Sequence, residues 1–299
     1  MPGTGGGARA APFVVLGIAL LAVSGGAIFA RLAEAPPLAI AAWRVGLALL
    51  VVMPFAVAGI VEAGSSKRAR ALAAGAGALL AAHFGTWITS LEYTTVARSV
   101  LFVCTAPIWV ALFEFLCGRG VPTRATVLAL LLALTGAGLV SGGGHGGATA
   151  LRGDLLALGG GVAMAGYFML SREAQAALNF RTYLGIAYGV AAAALWLAVL
   201  IADVPASGFD ARTWWALAGM AFVSQLIGHS GYNWSLRHLS PLVVAVVSVG
   251  EPVLASALAW WILGEALDWR TAAGGVLVLA AIACATLGAA VTSIQPPAA

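Results

Sequence analysis

The 299 residues are 62 % hydrophobic and 9 % charged, with a mean hydropathy of +1.00. Soluble domains carry about 25 % charged residues, so an ordinary soluble globule is excluded. The formal charge of +4 comes with a single lysine, Lys67, which reads as the positive-inside bias of a membrane protein rather than a nucleic-acid footprint.

A bilayer-crossing helix needs about 20 mostly apolar residues. Ten stretches qualify: 12–30, 38–58, 70–90, 98–117, 123–141, 153–171, 181–202, 212–235, 242–263 and 270–289. The first imitates a signal-peptide core, but nine more follow, so it is read as a retained helix. It carries Ser24 and the pair Gly25-Gly26, a hinge or a close-packing point. Pro36-Pro37 then turns the chain into the second span, where Arg44 stands about six residues in. Three readings of Arg44 stand: snorkelling outward, structural pairing with an acid such as Glu34, or anchoring an anionic substrate group.

The third span brings His83 and Trp87; the fourth brings Pro107, Trp109 and, near its end, Glu114, within reach of Arg119 as an interfacial pair. Gly138 and Gly142, like Gly185 and Gly189 later, have the small-residue spacing that lets helices approach. The run Gly142–Gly147 begins a flexible linker, 142–152, between a first repeat, 1–141, and a second, 153–299. The sixth span holds Gly159-Gly160-Gly161 and Tyr167, and the eighth holds Ser224, Gln225 and His229, the last two sharing a helix face. In the ninth, Ser248 precedes Glu251, which lies about nine residues in, near the bilayer midplane, with Pro252 next. Proline removes a backbone donor and frees a carbonyl toward a cavity. An ionisable group at that depth is a functional candidate, here for titration and proton coupling, or else a paired structural acid. Trp214, Trp215, Trp260, Trp261 and Trp269 fall at span ends, as interfacial belts do.

The second half echoes the first. His83-Phe84-Gly85 returns as His229-Ser230-Gly231 and Gly118 as Gly264, 146 residues on; Ser90-Leu91 returns as Ser235-Leu236 and Pro107 as Pro252, 145 residues on. Five spans per half force the second copy to enter the membrane inverted, the plan by which many transporters build two-sided access to one site. Nine Lys and Arg on one set of connections against six on the other place both termini in the cytoplasm.

Chemistry of other kinds lacks its motifs. There is no HExxH, P-loop or GxSxG pattern, so no enzyme and no cofactor is expected. Cys104, Cys117 and Cys284 sit in apolar runs without CxxC or His/Cys ligand spacing, which leaves no disulfide framework or metal site. His83 and His229 are read as lining a path or bridging helices; two histidines without clustered carboxylates make a weak ligand set.

Around Glu251-Pro252-Val253 the ninth span runs to Leu263-Gly264-Glu265 and then Ala273-Gly274-Gly275-Val276. This resembles the EamA-type repeat of the drug/metabolite transporter superfamily. The first half resembles it through Trp43-Arg44 and Ala106-Pro107-Ile108-Trp109, departing at Gly118-Arg119-Gly120, where the family's glutamate is missing. The resemblance implies an all-α fold of ten transmembrane helices, two inverted five-helix repeats around a central cavity. The narrower likeness is to YddG-type exporters of aromatic and other amino acids.

The expected function is export of small amphipathic metabolites, neutral or aromatic amino acids foremost, across the inner membrane by alternating access. Efflux of cationic compounds is the alternative, and an intramembrane enzyme or scaffold a remote one. The expected cavity residues are Ser24, His83, Trp87, Trp109, Tyr167, Gln225, His229, Ser248 and Glu251, with Pro107 and Pro252 as helix breaks. The expected partners are a small-molecule substrate, the lipid bilayer and, for coupling, protons. Nucleic acid is not expected; the oligomeric state is left open, with a monomer plausible.

Overall fold

A computed structural model describes residues 5–61, 66–118, 123–141 and 148–264, with 269–270, 273–277, 280–281 and 284 beyond. Every regular element among them is helical. The first expected span is α1, Gly5–Ser24, and α2, Gly26–Leu32, separated at Gly25. The second is α3, Pro37–Val61, which opens on a proline whose fixed φ suits a first turn. The third is α4, Lys67–Ser90. The fourth is two helices, α5, Val96–Val103, and α6, Ala106–Leu116; the fifth is α7, Arg124–Ser141. The sixth and seventh are α8, Ala148–Gln175, and α9, Phe180–Ile201.

The eighth runs through α10, Ala211–Gly219, a π-helical segment, Met220–His229, and α11, Ser230–Ser235. The ninth is again two helices, α12, Pro241–Ser248, and α13, Glu251–Leu263. Among the described residues, seven helical runs, Ala10–Leu32, Pro37–Val57, Lys67–Ser90, Arg98–Leu116, Ala148–Gln175, Phe180–Ile201 and Pro241–Ile262, are long and apolar enough to cross a membrane, and Val127–Gly136 is a shorter apolar helix. Most of the tenth stretch, residues 142–147 of the linker, Arg119 and Glu265 lie outside the described residues.

The fourth and ninth spans are not the single kinked helices their hydropathy suggests. Each begins at a hydroxyl cap: the Thr95 side chain accepts from the Arg98 N–H, and the Ser240 side chain from the Val243 N–H. Each breaks at matching places, Cys104-Thr105 and Val249-Gly250, and restarts with a proline in its first turn, Pro107 or Pro252. Gly118 (φ 68°) and Gly264 (φ 71°) follow the two restarted helices, in the left-handed region that a side chain disfavours. The proline explains the break, since the backbone donor missing from its ring cannot carry the ladder across.

The packing shows how the halves are related. Helices α3 and α9 run antiparallel: Trp43 Nε1 donates to the Ala206 carbonyl at 2.7 Å, Gly46 faces Trp196, and Met53 faces Gly189. They are the second span of each half, so equivalent spans run in opposite directions. The same exchange carries the α4–α8 pair, third span on sixth, onto the pair of α1 with the π segment and α11, first span on eighth. Both pairs are antiparallel and close: Gly75 meets Leu170 and Gly160 meets His83, while Gly228 meets Val23 and Gly219 meets Phe29. The broken spans pack on each other, with the Cys104 thiol donating to the Ser248 carbonyl at 3.6 Å. Two inverted repeats thus interlock about a pseudo-twofold axis passing between the second-span pair and the broken pair.

Large side chains on the outside are apolar, as lipid demands: Leu50, Phe55, Leu200 and Ile201 are exposed, and Trp215, Trp260, Trp261 and Trp269 are exposed near helix ends. Trp214 instead packs edge-on against Trp43, ring centroids 4.9 Å apart.

Candidate functional site

A cavity lies where the pseudo-axis meets the broken spans. Its lining falls into repeat-related pairs: His83 with His229, Val103 with Ser248, and Ala106 with Glu251. Trp87, Cys104, Met164 and Val23 complete the wall. The two histidine rings stand 5.9 Å apart. The His83 ring is stacked on Trp87 at 5.9 Å, and Phe84 meets His229 edge-on at 4.9 Å. Glycines bring the backbones this close. A Cβ at Gly160 would stand 3.3 Å from Trp87 Cβ, and one at Gly161 would stand 2.9 Å from the Val103 carbonyl oxygen.

Hydrogen bonds fix the donors. His83 Nδ1 lies 3.0 Å from the Gly160 carbonyl, which only accepts, so this nitrogen carries a proton and donates. Glu251 opens α13 at the cavity wall, and its carboxyl takes no hydrogen bond from the described residues. Ser248, on the preceding turn, donates to the Ala245 carbonyl at 2.7 Å.

Arg44 is fully buried, which corrects the snorkelling expectation: two turns into α3 and walled in by neighbours, its side chain has no route to the interface. It does not bond Glu34, whose backbone N–H donates instead to Thr213 Oγ1 at 3.1 Å. Its Nε donates to Gln225 Oε1 at 2.9 Å, and its guanidinium carbon sits 4.0 Å from the Phe84 ring centroid and 5.7 Å from that of Trp87. Cation–π contact offsets part of the cost of burial, yet Nη1 and Nη2 have no hydrogen-bond partner. Trp87 Nε1, Gln225 Nε2 and His229 Nδ1 are equally buried and unpartnered. Each such group costs about 1–3 kcal/mol when left unsatisfied, so this concentration beside the cavity marks a place built for something besides packing.

Of the residues read from the sequence, the cavity gathers His83, Trp87, His229, Ser248 and Glu251. Gln225 lies behind it as the partner of Arg44. Ser24 is turned onto its own helix, donating to the Leu20 carbonyl at 2.7 Å, and Trp109 Nε1 donates to Thr105 Oγ1 at 3.2 Å. Tyr167 belongs to a buried polar belt: its hydroxyl accepts from Asn233 Nδ2 at 2.5 Å, and Tyr183 donates to Asn233 Oδ1 at 3.2 Å and bonds Ser171. That belt ties α8 and α9 to α11. Sequence reading missed Asn233 and Tyr183, whose meaning depends on partners 50 or more residues away. Val103 and Ala106 were findable, because they face Ser248 and Glu251 across the repeat. Among the described residues no three His, Cys, Asp or Glu side chains gather to hold a metal ion.

The EamA-like transporter family matches this chain twice, over residues 10–142 and 151–287. A solved structure titled "Crystal structure of protein" has a similar fold, with a TM-score of 0.75 at 20 % identity, covering 94 % of this chain and 99 % of that one. No curated protein matches. Two matched repeats spanning most of the sequence, on a fold of two inverted halves, establish that the chain belongs to the EamA-like transporter family of the drug/metabolite transporter superfamily, a multi-pass membrane transporter of small metabolites.

Proposed function

We propose that the protein exports neutral and aromatic amino acids across the inner membrane by alternating access, with both termini in the cytoplasm. The observation that carries this reading is the cavity on the pseudo-axis. It is walled by aromatic and aliphatic side chains and furnished with a few polar groups, His83, His229, Ser248 and Glu251. Ligand sites of this kind suit a small molecule with an apolar body and a polar head. The breaks at Cys104-Thr105 and Val249-Gly250 flank the same cavity. They supply places where half-helices pivot as the repeats rock.

The test is flux into proteoliposomes of labelled Phe, Trp, Thr and Met, set against a quaternary ammonium dye. Movement of the amino acids is expected; movement of the dye alone transfers the protein to cation efflux, the reading that the Glu251 carboxyl favours on its own. Glu251→Gln is expected to flatten the pH dependence of flux between pH 5 and 8. A profile unchanged by that substitution removes protons as the coupling ion.

A further inference from the structure

We propose that the cavity recognises the zwitterionic head group of an α-amino acid, its carboxylate taken by Arg44 with Trp87 and its ammonium by Glu251. This deepens the export reading above and rests on it. The first observation is a surplus of donors: Arg44 Nη1 and Nη2, Trp87 Nε1 and Gln225 Nε2 are all buried without an acceptor among the described residues, and Arg44 contacts both Gln225 and the Trp87 ring. Two guanidinium nitrogens in a planar fork form the donor set a carboxylate fills in bidentate fashion, and the Trp87 indole N–H is a further donor on the cavity wall.

The second observation is a complementary deficit. Glu251, on the cavity wall, is an acceptor-only group when ionised and receives no hydrogen bond from the described residues. Arg44 and Glu251 interact electrostatically but make no ion-pair contact. The other buried acid among the described residues, Asp154, is already held by Arg98 and Thr94. A positive and a negative group that are each short of partners and do not touch are bridged by a molecule bearing both charged groups on one carbon. Neither a simple amine nor a simple carboxylate satisfies both.

The apolar wall formed by Val23, Val103, Ala106 and Met164 then receives the substrate side chain. Trp87 lines the cavity, and its ring centroid stands 5.7 Å from the Arg44 guanidinium carbon, while Arg44 itself is not among the lining residues. Arg44 is fully buried, so the wall beside it must open for a carboxylate to reach Nη1 and Nη2.

The experiment compares three probes of one shape in proteoliposomes: Phe, phenethylamine (the ammonium alone) and 3-phenylpropionate (the carboxylate alone). Wild-type protein is expected to move Phe at least tenfold faster than either analogue. Arg44→Gln is expected to lose Phe flux at least tenfold while gaining on phenethylamine, and Glu251→Gln to lose Phe while gaining on 3-phenylpropionate. Arg44→Lys, which keeps the charge without the fork, should retain part of the Phe flux. Elution as a single species in detergent certifies each variant, and the wild-type comparison needs no variant at all. Equal flux of Phe and either analogue through the wild type overturns the head-group assignment and leaves export of aromatic compounds standing. No flux of Phe overturns the export reading itself.

Discussion

The fourth and ninth spans share a hydroxyl cap, a break, a proline and a closing glycine, yet Val103 and Ala106 in one stand where the other has Ser248 and Glu251. The reverse holds on the second-span pair. There Arg44 comes from the first half, and the position 145 residues later is Gly189. Backbone punctuation and the histidine pair are duplicated, and the charged groups Arg44 and Glu251 are not. An inverted repeat needs matching shapes to interlock, but a site with one positive and one negative pole cannot be two-fold symmetric. The difference teaches that the copies share the turn signals that set the helix ends while the cavity between them carries unlike charged groups.

The hardest way to break the comparison is at Gly77, where α4 crosses α9. A Cβ there would stand 2.4 Å from the Ala187 carbonyl oxygen and 2.9 Å from Val190 Cβ, backbone and branch points that cannot retreat. Gly77→Leu is expected to cost about 3 kcal/mol or more and to abolish recovery of monodisperse protein. Phe222, 145 residues on, is exposed toward lipid, and Phe222→Ala should leave the thermal midpoint unchanged. Equal behaviour of the two variants would contradict the asymmetric packing. Making the cavity symmetric comes next: Glu251→Ala copies Ala106 and is expected to lower amino-acid flux about tenfold, about 1.4 kcal/mol in the barrier. Undiminished flux would show that the unlike pair is ornamental.

A smaller effect is expected at the ion pair between Arg98 and Asp154, which joins α5 to α8. The second half has Val243 in place of Arg98 and no such pair there. Arg98→Val copies it and should cost about 1 kcal/mol, modest because the guanidinium is 23 % exposed and screened; the midpoint falls by a few degrees. The smallest effect belongs to Asp210, the cap of α10, whose side chain accepts from the Thr213 N–H at 2.8 Å. Hydrogen bonds from Thr213 hold its carboxyl below the ordinary carboxylate range. A depressed native value means that the cap stabilises above the unfolded-state pKa and that this contribution fades as pH falls through the native one. Hydrogen exchange over Ala211–Gly219 should therefore speed up on acidification beyond the intrinsic trend, and Asp210→Asn, which keeps a cap, should remove that excess.

The repeat, the spans and the pairing of His83 with His229 were legible because they are written in spacing: runs of apolar residues, an offset of about 146, and turn residues. Positions of helix breaks were only half legible. Pro107 and Pro252 announce a disturbance, but whether a helix bends or stops depends on what packs against the freed carbonyls. Arg44 was misread for a different reason. Depth along a span separates a residue near the surface from one that is not, but it says nothing about which face is enclosed, and Gln225 is 181 residues away. The unsatisfied donors were illegible altogether, since partner shortage is a property of the assembled neighbourhood.

The π segment Met220–His229 has a consequence for how the gene tolerates insertions and deletions. Its counterpart α4 is α-helical from Lys67 to Ser90. Removing one residue from α4 ahead of His83 would swing everything beyond it by about 100° and turn His83 off the cavity. A π turn, by contrast, holds more chain than an α turn over the same loop of hydrogen bonds. A single deletion between Met220 and Gln225 can be absorbed by tightening into α-helix, with His229 and α11 kept close to register. The two copies, equal in span number, are therefore unequal in slack: the half that carries Glu251 is also the half whose third helix has length to spare.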